Sequence, residues 1–152
     1  MSAVRFATRE ALQVTLEEWC LKLVDSISKD RSGRLRVLSG STAVYLQVQE
    51  FGRENFGVAV SGVVLHNVPR SDELALELLT SDQYNNYYLG AWGVRGYDDD
   101  PSTFQLNYTV LLFANHLDEV EFEGAIRLIG DVSDHHDEEL QAKYGGKLWS
   151  ET

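Results

Sequence analysis

From Thr8 to Lys29, apolar residues return at helical spacing. Leu12, Leu16, Trp19, Leu23 and Ile27 form one stripe, and Cys20 and Val24 widen it. Thr8 is placed to cap this helix, and Glu10 suits the positive end of its dipole. Asp30-Arg31-Ser32-Gly33 then breaks the pattern. Beyond it the period changes to two. Leu35 to Leu38 reads as a short basic strand, and Ala43 to Phe51 sets Val44, Leu46 and Val48 against Tyr45, Gln47 and Gln49. Gly52-Arg53-Glu54-Asn55 is a hairpin loop, and Phe56 to Leu65 is almost wholly apolar or small, as a central strand is.

Pro69-Arg70-Ser71-Asp72 opens a second helix, with Leu74, Leu78 and Leu79 supplying an apolar face that ends before Tyr84. A second hairpin follows, Tyr87 to Tyr97 and Thr103 to Asn115, turned by Asp98 to Ser102. Phe104, Leu106, Tyr108, Val110 and Leu112 share one of its faces. The last helix runs from Asp118 to Tyr144, with Asp118 and Glu121 at capping-box spacing and Gly145 placed to end it. The order is α-βββ-α-ββ-α. It predicts one α+β domain over residues 6–146, with a mainly antiparallel five-stranded sheet, flanking helices and a short tail at 147–152. Trp19, Leu23, Val44, Leu46, Val58, Val60, Leu106, Tyr108, Val110, Ile126 and Ile129 are the expected core. Alternating βαβ units are absent, which argues against a nucleotide-binding parallel sheet.

Charge adds to this picture. The chain has 152 residues, with 13 Lys and Arg against 24 Asp and Glu, a formal net charge of -11. Such a balance argues against nucleic acid and against an anionic membrane surface. No apolar run reaches membrane-spanning length and no secretory signal is seen, so the expectation is a cytoplasmic protein. The charge is uneven. Residues 1–70 hold 9 Lys and Arg and 7 Asp and Glu, whereas residues 71–152 hold 4 and 17. Lys29, Arg31, Arg34 and Arg36 make a basic cluster, and Asp131, Asp134, Asp137, Glu138 and Glu139 load the last helix. Both read first as solvated surface, and second as patches for a client or another subunit.

Chemistry is sparse. Cys20, the one cysteine, lies in the apolar stripe and reads as a small buried hydrophobe. His135 could pair with Asp131 or Glu139, but a zinc site needs three or four converging ligands, and His66 and His116 lie elsewhere. Asp98-Asp99-Asp100 lacks the calcium-loop spacing. There is no G-x-S-x-G, Cys-His or P-loop signature. No catalytic residue, metal or cofactor is assigned. Aromatic residues gather around the second hairpin, and Tyr88, Trp92 and Tyr97 are candidates for a protein-facing patch beside core packing. With Arg34 and Arg36 they form the expected partner-binding set.

Phe113-Ala114-Asn115-His116-Leu117 leads into the last helix, which closes on Asp137-Glu138-Glu139-Leu140-Gln141-Ala142-Lys143-Tyr144-Gly145-Gly146. With the α-βββ-α-ββ-α order, this resembles the type III secretion chaperone-like fold, and more specifically the YbjN-like family of bacterial proteins. The resemblance implies a non-enzymatic role that engages a protein or peptide client, and a homodimer. It carries over no catalytic residues. The competing expectation is a small enzyme or small-molecule binder with a pocket between sheet and helix.

Overall fold

The computed structural model describes residues 6–24, 27–52, 55–85 and 90–152. The helix α1 is Arg9–Leu23, capped by Thr8, whose hydroxyl accepts from the Ala11 N–H at 3.1 Å. The strands are β1 Ser28–Lys29, β2 Leu35–Ser39, β3 Thr42–Phe51 and β4 Asn55–Pro69. Two short helices follow, α2 Asp72–Thr80 and α3 Asp82–Asn85, then β5 Ala91–Gly96 and β6 Thr103–Phe113. The helix α4, Glu119–Tyr144, is capped by Asp118, which accepts from the Glu121 N–H at 2.8 Å, and it ends at Gly145. Short 3-10 turns occupy Ala114–His116 and Trp149–Glu151.

The expected α+β class is what the structure shows, but the sheet has six strands rather than five, ordered β1-β2-β3-β4-β6-β5 and antiparallel throughout. The added strand is β1, carved from the end of the expected first helix. That helix stops at Leu23, and Val24 is extended at φ -137°. Asp30 explains what replaces it. Its Oδ1 accepts from the Ser32 N–H at 2.9 Å and the Arg34 N–H at 3.0 Å, closing a tight turn that draws Lys29 back beside Leu35. Forming this hairpin and continuing the helix are mutually exclusive, and Val24, Ile27 and Ser28 are poor helix formers.

The four described α-helices pack on one face of the sheet. That face is built from Val37, Val44, Leu46, Val58, Val60, Leu106, Tyr108 and Val110, aligned by the register and buried. The helix α4 adds Phe122, Ile126, Ile129 and Leu140, and α1 adds Leu12, Leu16 and Cys20. Of the expected core, Trp19 and Leu23 are only half-buried. The helix α1 sits at the margin, so Trp19 packs sideways on Phe122, ring centroids 5.5 Å apart, instead of pointing into the sheet. Burial pushes the Cys20 thiol up to about 12.

The opposite face carries Tyr45, Gln47, Gln49, Ala59, Ser61, Asn107 and Thr109, none of them fully buried. The strand β4 is 15 residues long, yet β3 pairs only with its first part, Asn55 to Gly62. Beyond Val63 the strand shifts register against β6, and Asn67 takes a left-handed φ of 51°.

Candidate interaction surfaces

The expected partner-binding residues fall at two opposite edges of the sheet. Arg34 and Arg36 belong to β2 and its turn, whereas Trp92 and Tyr97 belong to β5 and the residue after it. Four strand spacings, roughly 19 Å, separate β2 from β5, so they do not form one site. Tyr88 lies outside the described residues.

At the basic edge, two of the four cations are paired with carboxylates of the chain. Lys29 Nζ lies 2.7 Å from Glu17 Oε1, and Arg34 Nε lies 2.7 Å from Asp30 Oδ2. The Arg34 guanidinium also sits over the Tyr45 ring, 4.8 Å from its centroid. The Asp30 carboxyl is held low, near 2, by its hydrogen bonds to Ser32 and Arg34, which outweigh partial burial. Arg36 is exposed. Its Nε donates to Ser28 Oγ at 3.0 Å, and its guanidinium is 5.9 Å from the Trp149 ring centroid.

At the other edge, Trp92 is half-buried. Its indole N–H donates to the Tyr84 carbonyl at 2.8 Å, and its ring meets Tyr84, Tyr108 and His136 at centroid distances of 5.8, 5.2 and 5.9 Å. His136 is wholly buried in this aromatic cluster, with Nδ1 3.9 Å from Glu139 Oε2. Burial lowers its pKa first and neighbouring His135 lowers it further, while Glu139 pulls the other way. Tyr97 serves the fold directly: its hydroxyl accepts from the Asn67 N–H at 3.1 Å, pinning the left-handed turn in β4. Among the described residues, no three His, Cys, Asp or Glu side chains converge as a metal site would need.

The helix α2 is tied to α4 through Glu77. Lys143 Nζ lies 2.6 Å from Glu77 Oε1, and the Tyr144 hydroxyl donates to Glu77 Oε2. This fixes a groove of 270 Å³ between α2 and β5, floored by Leu74, Leu78 and Phe104 and edged by Ala75 and Val94. Val94 is 62% exposed, and on α2 Leu76 and Leu79 are 63% and 75% exposed. Leu79, expected on the packed face, is thus solvent-facing. The sequence carried a signal for this: Leu74-Ala75-Leu76-Glu77-Leu78-Leu79 is apolar on more than one helix face. Nothing in the sequence marked Val94 and Ala75 as neighbours, because they meet through the β5–β6 pairing and the docking of α2 on α4.

No family model matches the chain, and no curated protein matches it in sequence. Solved structures do. The chain is similar to one in the crystal structure of the ExsC-ExsE complex, at 16% identity and TM-score 0.60, covering 88% of this chain and 96% of that one. It is also similar to YbjN from E. coli, described as a candidate transcription regulator, at 15% identity and TM-score 0.57, covering 86% and 92%. The likeness extends over nearly the whole of each, so the fold of this chain is the one expected from its sequence, that of YbjN and of the ExsC-ExsE complex chain.

Proposed function

We propose that this is a non-enzymatic protein- or peptide-binding module, chaperone-like or regulatory, working in the cytoplasm. The observation that carries the reading is the β5 edge. Six residues of strand end the sheet there beside the apolar groove under α2, with Val94, Leu76 and Leu79 exposed around it. Among the described residues β5 pairs with β6 alone, and strand backbone open on one side next to an apolar groove is what an extended segment of another chain needs: main-chain hydrogen bonds for affinity and a pocket for alternate side chains. The ExsC-ExsE likeness supports the reading, because that structure is a complex of two proteins. Among the described helices, none is long and apolar enough to cross a membrane.

Four of the shifted titratable groups show no catalytic arrangement. Cys20 and His136 are buried in apolar surroundings, and the Asp30 and Glu77 carboxylates are held ionised by cations and hydroxyls beside them. None of these four is both accessible and activated.

A second copy of the chain is one partner we propose. The apolar β5 edge is the better candidate for self-pairing than the basic edge, because Lys29 and Arg34 already have carboxylate partners. Affinity capture with the wild type and a Leu79→Asp/Val94→Asp variant tests the module reading. A defined partner, or a dimer seen by light scattering, should be lost in the variant while circular dichroism stays unchanged. No protein partner in capture, beside a clear thermal shift with a metabolite, would reject it in favour of a small-molecule binder.

A further inference from the structure

Residues 146–152 lie against the body of the domain. Gly145 and Gly146 turn the chain at φ 83° and 90°, and Lys147 then joins β4 in a two-way backbone bridge. The His66 N–H donates to the Lys147 carbonyl at 2.8 Å, and the Lys147 N–H donates to the His66 carbonyl at 2.7 Å. The bridge falls on the far part of β4, which β3 does not reach. The segment therefore acts as a short strand added where β4 has β6 on one side only. Glu151 holds the following turn by accepting from the Leu148 N–H and from Gln141 Nε2, both at 2.8 Å.

The fit is incomplete in three respects. The segment uses one bridge, although β4 runs on from Val63 to Pro69. Leu148 and Trp149 are only half-buried. A cavity of 220 Å³ remains beneath them, floored by Val63 and Val64 and walled by Asp134, Asp137 and Glu138 of α4. Ser150 of the segment borders the same cavity and brings no cation to those carboxylates. The Asp137 carboxyl is pushed up by partial burial and by repulsion from Asp134 and Glu138, against the lowering effect of the Glu138 N–H; Asp134 accepts from the Ser41 and Thr42 hydroxyls at 2.7 and 2.9 Å, and among the described residues no cation pairs with this wall.

We propose that the cleft between the far half of β4 and α4 is a docking site for an extended peptide segment, and that residues 146–152 are a strap occupying it within the chain. The occupant that displaces the strap is a segment of a partner protein carrying a bulky apolar pair, as Leu148-Trp149 is, followed by Lys or Arg facing the α4 carboxylates. Strand pairing longer than one bridge, a filled cavity and a charge opposite Asp134, Asp137 and Glu138 are the advantages it holds over the strap. The inference rests on the protein-binding reading but uses a different edge of the sheet, so the two can fail separately.

Gly146→Ala in the full chain should release the strap. Its added Cβ would lie 2.8 Å from the His66 carbonyl oxygen and 2.9 Å from Val68 Cγ2, at a φ of 90° that only glycine adopts readily. Lys147→Pro is a second route, since it removes the N–H donated to His66. The probes are fluorescein-labelled peptides of residues 145–152, one native and one with Ser150→Arg. By anisotropy, both variants should bind the native peptide at least about ten-fold more tightly than the wild type, because a strap docked nine-tenths of the time reduces apparent affinity by that factor. The Ser150→Arg peptide should bind more tightly still, and salt should narrow its advantage. Fast amide exchange at His66 in both variants, and at Lys147 in Gly146→Ala, with unchanged circular dichroism, should accompany release. Folded variants that release the strap and bind neither peptide would overturn the proposal. So would exchange at the His66 amide that stays slow in both variants, or a doubled mass showing that the segment is traded between two copies. If the peptides fail while Leu79→Asp/Val94→Asp still abolishes partner capture, the cleft alone is rejected.

Discussion

Two glycines of α4 offer the sharpest test of how that helix is seated. Gly124 is exposed, and a Cβ built on it would meet nothing within 4 Å. Gly130 is buried and faces the β2–β3 turn, where an added Cβ would lie 2.9 Å from Ser39 Cβ and 3.3 Å from its carbonyl oxygen. Alanine lowers the backbone entropy cost of the helix equally at both sites, by about 0.5–1 kcal/mol. At Gly124 that gain stands alone, so Gly124→Ala should stabilise by that amount. At Gly130 it is offset by overpacking, which typically costs about 1–3 kcal/mol where a rigid neighbour cannot yield. The Ser39 hydroxyl can rotate away, but its Cβ and carbonyl belong to a hydrogen-bonded strand and cannot. Gly130→Ala should therefore come out between roughly neutral and about 2 kcal/mol destabilised. The difference between the variants is the better quantity, because the helix contribution cancels and leaves about 1–3 kcal/mol of contact. Urea denaturation with a shared m-value measures it. If Gly130→Ala proves as stabilising as Gly124→Ala, α4 does not press on the β2–β3 turn, and the packing described here is wrong.

Burial lowers the pKa of both His66 and His136, so between their folded values and the ordinary value near 6.5 the unfolded chain binds more protons. Stability should be full above about pH 6.5 and decline as pH falls below it; His136→Phe should flatten the decline between about pH 7 and 5, and parallel wild-type and variant curves would count against the buried imidazole. Ile126 is 4% exposed while Leu23 is half-buried, so Ile126→Ala should cost about 2–5 kcal/mol in chemical denaturation and Leu23→Ala distinctly less. Tyr97→Phe removes the acceptor for the Asn67 N–H and should cost about 0.5–1.5 kcal/mol, with faster amide exchange at Asn67; unchanged exchange would mean that the turn is held by other contacts.

Periodicity was enough for the class, the long helix and the central strands, because each of these is a local pattern. Phe104, Leu106, Tyr108 and Val110 alternate in the sequence and are buried together in the sheet. The limits were non-local. Ile27 continues the apolar stripe of the first helix, and only the hydrogen bonds gathered by Asp30 show that the chain turns into a hairpin instead. The candidate site was half legible for a similar reason. Aromatic content drew attention to Trp92 and Tyr97, but aromatic residues mark buried clusters as often as interfaces. Here Trp92 is bonded to the Tyr84 carbonyl, and Tyr97 to the Asn67 amide. The residues that edge the groove beside them, Ala75 and Val94, are unremarkable in sequence and become neighbours only through the β5–β6 pairing together with the tie of α2 to α4 by Glu77. Neither the bridge between Lys147 and His66 nor the cleft under it has a sequence signal, since a single bridge leaves no periodicity to read.

The way the sheet handles its unpaired backbone separates passive edges from usable ones. Exposed strand edges are usually kept short, charged, bulged or covered. The β1 edge follows that rule: it is two residues long, and one of them is Lys29. The far half of β4 follows it too, through the shifts in register after Val63 and the bridge from Lys147. Among the described residues, the β5 edge shows neither protection. It runs six residues, Ala91 to Gly96, with Arg95 as its one charge and no proline, and its register against β6 is unbroken. Nor does the surrounding surface compensate, because Val94, Leu76 and Leu79 leave apolar area beside it. In a chain carrying -11, charge was available to block this edge and lies elsewhere, on α4 above all. A blocked edge would have served solubility better. An open one beside an apolar groove serves strand addition, which is why binding at β5, by a client or by a second copy, is the reading that accounts for both features together.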